Sequence, residues 1–149
     1  YMYFFDPTSQ LQELKGGIEK MARARLCANS IAQYAAIEAL KNPGPHTETM
    51  ANNLKRRRDY SYKRLRQIEG LNCINADGTF YLFPKIQLGE FKRWKNDKEF
   101  VIDLLKETGV CGVYGSGFGS YGKGHFRLTF LPDLKILEEV YDLIEDFLQ

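Results

Sequence analysis

Little in this sequence points to covalent or metal chemistry. Cysteine is scarce: Cys27, Cys73 and Cys111 are odd in number and far apart, which argues against a disulfide framework or a Cys-x-x-Cys metal site and suits a reducing, cytoplasmic compartment. Histidine is scarcer still, and His46 and His125 stand at no recognised zinc spacing from those cysteines, so no metal site is expected. No apolar run is long enough to span a bilayer, and no signal peptide is visible, so no membrane partner is expected. An excess of one charge is also missing: 21 basic against 19 acidic residues leave +2, which gives no global case for nucleic acid. Nucleotide loops are lacking too. Gly115-Ser-Gly117-Phe-Gly119 has Ser120 where a dinucleotide fingerprint needs glycine, and Gly122-Lys123-Gly124 lacks a hydroxyl residue after the lysine.

What is present is glycine in one place. Seven glycines fall between positions 109 and 124, immediately before an apolar-polar alternation over His125–Phe130. Glycine loses the most conformational entropy on folding, so such density needs a cause. Turn geometry is one, and close approach of backbone to a ligand is the other; spacing leaves both open. The alternation predicts a strand with Phe126, Leu128 and Phe130 on one face and His125, Arg127 and Thr129 on the other. Arg127 likewise has two readings: a solvated surface cation of little consequence, or a planar fork for a carboxylate beside a loop that can close.

A hydrophobic content of 44% over 149 residues suffices for a substantial core. Taken in order, Tyr1–Phe5 reads as a short buried strand, and apolar spacing predicts a helix over about Ser9–Cys27 despite Gly16-Gly17. Asn29 breaks that helix, and Ser30-Ile-Ala-Gln33 has capping-box form for a second, running to about Lys41. After Pro43-Gly44-Pro45 a long helix reaches about Glu69, with Met50, Leu54, Ser61, Leu65 and Ile68 near one face. Its basic residues Lys55, Arg56, Lys63 and Arg66 fall on the opposite, solvated face, so no nucleic-acid partner is expected. Leu71–Asn75 and Thr79–Ile86 flank Ala76-Asp77-Gly78 as an antiparallel hairpin. The polar stretch through Trp94 is expected to be mobile or to depend on another domain. Asn96-Asp-Lys-Glu99 caps a helix ended by Gly109, and Pro132-Asp133 starts a last amphipathic helix.

Five blocks then carry a resemblance. GTFYLFPKI (Gly78–Ile86), the loop GSGFGSYG and the strand HFRLTF resemble, in that order, the C-terminal part of the class I/II aminotransferases, the fold-type I pyridoxal-phosphate enzymes. Upstream, Ala24–Leu40 and Arg56–Leu65 resemble the same family in the same order, and most resemble its alanine/aspartate aminotransferase-like members. The resemblance implies an α+β fold: a small, mostly antiparallel sheet covered by helices, preceded by the end of a large α/β domain. It implies a division into residues 1–44, the end of the large cofactor-binding domain, and 45–149, the interdomain helix and small domain.

The resemblance assigns Arg127 to the substrate α-carboxylate, and Phe118 and Gly119 to the loop lining the substrate side of the cleft. Relatives often carry Pro-Gly-Ser before that loop, where this chain has Tyr114-Gly115-Ser116. The family's Schiff-base lysine lies in a Ser-x-x-Lys type motif followed shortly by an arginine for the cofactor phosphate; neither motif is read in this chain, and Lys15 in LQELKGG reads as an ordinary helix face. No catalytic and no cofactor-binding residue is therefore assigned in this chain. The implied whole is a longer, homodimeric, pyridoxal-phosphate-dependent aminotransferase acting on amino-acid and 2-oxo-acid substrates. The upstream large domain would be this chain's partner, and the chain alone would be inactive. The alternative is a stand-alone carboxylate- or amino-acid-binding regulatory module.

Overall fold

The computed structural model describes residues 4–42 and 44–149. It divides into two compact units, Tyr1–Gly44 and Pro45–Gln149. In the first, the Asp6 carboxylate accepts hydrogen bonds from the N–H groups of Gln10 (3.2 Å) and Leu11 (2.9 Å), which turns the chain into α1, Gln12–Ala24. The helix ends about a turn earlier than its apolar spacing predicts, because Leu26 leaves helical geometry at φ 67°. Helix α2 spans Ser30–Lys41, and its cap corrects the predicted one: Asn29, not Ser30, accepts the N–H of Ala32, at 3.1 Å. The Gln33 amide donates to the Ala28 carbonyl at 3.1 Å, where a capping box would have it accept a backbone N–H, so the reciprocal pair is not made. Of the predicted N-terminal strand, Tyr1–Tyr3 lie outside the described residues, and Phe4 and Phe5 are not in a strand. No residue of α1 or α2 is buried.

The second unit begins with α3, Gly44–Gln67, of which Ser61 and Leu65 are buried. Lys55, Arg56, Lys63 and Arg66 lie exposed on its other side. Arg57 donates to the carbonyl of Leu131, and Arg64 spans to Asp142 (2.6 Å) and Glu145 (2.9 Å), so part of the basic run serves tertiary structure.

Short strands follow: β1 Leu71–Asn72, β2 Tyr81–Leu82, β3 Lys85–Ile86, β4 Val113–Tyr114 and β5 Phe126–Thr129. The predicted hairpin survives only at its base, where β1 pairs antiparallel with β3, Leu71 opposite Ile86. Beyond Asn72 the segments part, because residues 80–86 pair along their length with β5 instead. Tyr81 stands opposite Thr129 and Leu82 opposite Leu128. The same register continues through the Phe126 N–H to the Pro84 carbonyl (3.0 Å) and the Lys85–His125 bridge to the Ile86 N–H on Gly124 (2.8 Å). Proline donates nothing to a ladder, yet Pro84 still accepts, so the strand is interrupted without being lost. β4 covers the other edge of β5, with Val113 opposite Arg127.

The segment expected to be mobile is packed. Trp94 is buried, donates to Asp103 at 3.1 Å, and meets Phe100 edge-on at 5.1 Å. Phe91 lies against Gly70, where any Cβ would fall 2.1 Å from its ring. Polar flanks hid two aromatic anchors. Helix α4, Asp97–Thr108, is capped by Asn96 through the Glu99 N–H (2.9 Å) and closed by Gly109 in the left-handed region. Helix α5, Leu134–Leu148, is capped by Asp133 through the Ile136 N–H (3.1 Å).

The sheet's apolar side and the three helices share one core. Leu65 and Ile68 come from α3 and the residue just after it, Phe100 and Leu104 from α4, Leu137, Tyr141 and Ile144 from α5, and Phe126 and Leu128 from β5. Each such side chain contributes about 1.5–3 kcal/mol by leaving water. The fold is α+β, a small antiparallel sheet covered by helices. No helix among the described residues is long and apolar enough to cross a membrane.

Candidate functional site

β5 holds its side chains as the alternation predicts. Phe126, Leu128 and Phe130 are buried at 0%, 6% and 1% exposure, which anchors the strand and turns Arg127 to the opposite face. There the guanidinium carbon lies 4.4 Å from the centre of the Tyr81 ring and 4.8 Å from that of Phe118. Tyr81 comes from the neighbouring strand and Phe118 from the glycine loop. Among the described residues no carboxylate pairs with Arg127, and no acceptor takes its N–H donors. Flat contacts with two π-faces hold the guanidinium while leaving its in-plane donors unused.

The aromatic surface extends further. Phe118 meets Phe83 edge-on at 5.9 Å, and Phe83 stacks on His125 at 5.2 Å. The His125 Nδ1 lies 2.9 Å from the Lys123 carbonyl. A carbonyl only accepts, so that nitrogen is assigned the proton.

The glycine loop owes its shape chiefly to its own backbone. It runs as two tight 3-10 turns, Gly115–Phe118 and Ser120–Gly122, and the two press together. A Cβ on Gly122 would stand 1.9 Å from the Gly115 carbonyl oxygen, and one on Gly115 would stand 2.2 Å from that of Gly122. Between the turns Gly119 adopts φ 111°, a conformation that other residues rarely take. Backbone-on-backbone packing is thus a cause of the glycine density that the spacing did not suggest.

One residue beneath the loop escaped the sequence reading. Asp97, the first residue of α4, is 2% exposed. Its Oδ2 accepts the Ser116 N–H at 2.7 Å and its Oδ1 the Gly124 N–H at 3.3 Å. Burial pushes its pKa up, but the N–H and hydroxyl of Ser116, the Gly124 N–H and its own N–H outweigh that, holding the carboxyl below its usual range. In the sequence Asp97 sits inside the Asn96–Glu99 cap, and the cap accounted for it. Tyr81 stands in the sequence only as part of the predicted hairpin arm; its register opposite Thr129 was the missing signal.

The structure brings together Arg127 and Phe118 and places Gly119 at the hinge between the two turns. The lysines need one correction. Ser120-Tyr-Gly-Lys123 does carry a bare Ser-x-x-Lys spacing. Its lysine is exposed, and its carbonyl carries the His125 contact.

The sequence model for aminotransferase class I and II matches residues 8–144. The chain belongs to that family. It is 34% identical over 134 residues to the glutamate-pyruvate aminotransferase AlaA of Haemophilus influenzae, covering 89% of this chain and 33% of that protein. It is 38% identical over 121 residues to the aspartate aminotransferase of Bacillus subtilis, covering 80% and 30%. Among solved structures, alanine aminotransferase from Pyrococcus furiosus superposes with a TM-score of 0.87 at 50% identity, over 98% of this chain and 36% of that one. The chain spans about a third of the length of the curated relatives it matches.

Proposed function

We propose that this chain supplies the α-carboxylate clamp of a pyridoxal-phosphate-dependent aminotransferase moving an amino group between an amino acid of the alanine or aspartate class and a 2-oxo acid. The carrying observation is Arg127, a guanidinium that lies over the Tyr81 and Phe118 rings with no acceptor for its N–H donors among the described residues. A carboxylate can take two parallel N–H bonds from such a fork, which fixes both its distance and its plane. That orients the rest of the substrate relative to the groups that move its proton. Phe118 and Gly119 belong to the loop that covers this face, and the aromatic rings exclude water from the ion pair, which strengthens it.

Pyridoxal phosphate requires an amine to hold its aldehyde and donors for its phosphate. Around Arg127 the described partners are two aromatic rings, which supply neither. The cofactor, an electron sink when bound, therefore does not fit this cluster by itself, and the clamp is assigned to the substrate alone. On this reading residues 1–44 belong with the large cofactor-binding domain, 45–149 form the small domain, and the working enzyme is a homodimer whose lysine lies elsewhere.

Two measurements test the proposal. Exchanging the matching part of the Pyrococcus furiosus enzyme for these 149 residues gives a chimera in which Arg127→Ala should lower kcat/KM by about 2–5 kcal/mol. A loss below about threefold, less than 0.7 kcal/mol, removes Arg127 from the role. For the chain alone, pyridoxal-phosphate titration with borohydride trapping and peptide mapping should reveal no saturable lysine. Stoichiometric labelling of one lysine, Lys123 included, would require a different active site. Tight binding of an amino acid by the isolated chain, with no need of the large domain, would favour a stand-alone binding module.

A further inference from the structure

We propose that Asp97 is a positioning residue for this clamp: its carboxylate ties both ends of the glycine loop to α4, and so sets where Phe118 lies on Arg127. The functional meaning rests on the clamp reading above; the tie itself does not.

A single buried carboxylate accepts from two donors, Ser116 at the start of the loop and Gly124 at its end, 19 and 27 residues away in sequence. The first N–H groups of a 3-10 turn have no acceptor inside the turn. In Gly115–Phe118 the Gly115 N–H finds the His125 carbonyl at 2.8 Å and the Ser116 N–H finds Asp97 at 2.7 Å. The latter is charge-assisted, and short as such bonds are. Phe118 follows two residues later; apart from the Phe83 edge and the guanidinium itself its ring is left open, 52% exposed. Its place over the guanidinium is therefore set by the backbone of its turn.

Asp97 has no basic partner in any ion pair among the described residues. A buried carboxylate without a counter-ion depends on the N–H groups aimed at it, and on the positive end of α4 from which it projects. Losing the carboxylate strands two loop donors; losing the loop contacts strands the carboxylate. The two parts therefore hold one geometry together. Other backbone bonds close the loop's base, including His125 to the Gly122 carbonyl at 3.1 Å, so the loop can remain folded while the Ser116 turn shifts.

The test uses the 149-residue chain in solution by NMR. In the wild type a coupling across the hydrogen bond should join the Ser116 amide nitrogen to the Asp97 carboxyl carbon. Its absence, with the signals assigned, overturns the tie without any substitution. In Asp97→Asn and Asp97→Ala, the ring-current displacement of the Arg127 side-chain resonances should fall, while the amides of Leu137 and Ile144 in α5 keep their shifts. A merely stabilising role would lower the melting temperature and leave the Arg127 resonances of the folded protein unchanged, and that result also overturns the inference. In the chimera with the Pyrococcus furiosus enzyme, the KM for L-alanine should rise about tenfold in both variants. An equal KM in variant and wild type sinks the positioning role. A chimera in which Arg127→Ala leaves kcat/KM unchanged, while the ring-current change in the 149-residue chain still follows Asp97, would count against the clamp and leave the tie standing.

Discussion

The two units make a comparison in what an amphipathic helix is worth. In Tyr1–Gly44 the apolar positions of α1 and α2 stay open, with Leu14 54%, Met21 76%, Ile31 79% and Tyr34 74% exposed. In Pro45–Gln149 the same kind of stripe, on α4 and α5, puts Phe100, Leu104, Leu137, Tyr141 and Ile144 at 2% exposure or less. The periodicity is similar and the outcome opposite. An apolar stripe stabilises only when a second surface meets it, since most helical stability comes from tertiary packing.

The largest expected effect breaks that comparison directly. Phe126→Ala, in the second unit, should destabilise by about 3–5 kcal/mol through lost transfer energy and a cavity. Ile31→Ala, in the first, should change stability by no more than about 0.5 kcal/mol. Urea unfolding of both variants checks this, and equal losses would mean that α2 is buried in solution. Glycine offers the next contrast. Gly122→Ala drives a methyl into the Gly115 backbone 1.9 Å away and should cost about 1–3 kcal/mol, as overpacking does. Gly16→Ala, on α1 with nothing within 4 Å, should stabilise by about 0.5–1 kcal/mol. Helicity by circular dichroism and melting temperature would show the opposite signs.

The smallest effect is in acid. Asp97 has a folded-state pKa below its unfolded value of about 3.9. Its contribution to stability is thus fully present above the unfolded value and disappears as pH falls through the lower, folded one. The stability gap between wild type and Asp97→Asn should narrow below about pH 4. A gap that stayed constant would mean that the carboxyl is not charged in the folded chain.

Much of this was legible from the sequence wherever a signal acts within one turn or one strand. The Asn96 and Asp133 caps, the Gly109 stop and the alternation that turns Arg127 away from Phe126 and Leu128 all stand as the residue types imply. The hairpin misled because Tyr81 and Leu82 had two possible partners, β1 and β5, and turn residues at 76–78 speak only for the first. Trp94 misled because lysine, arginine and asparagine around it describe the segment's surface and say nothing of its two inward rings. At Asn29 and Ser30 two capping residues stand side by side, and local preference does not choose between them.

By itself the sequence determined the order of the five helices, the alternation of the Arg127 strand and, through five matching blocks, the family. Only tertiary structure decided that residues 80–86 run beside β5, that Tyr81 and Phe118 close on Arg127, and that Asp97 reaches both ends of the loop. The reason is physical. Caps, turns and alternation depend on neighbours a few residues away, whereas the Asp97 contacts join residues 19 and 27 apart, which only packing brings together.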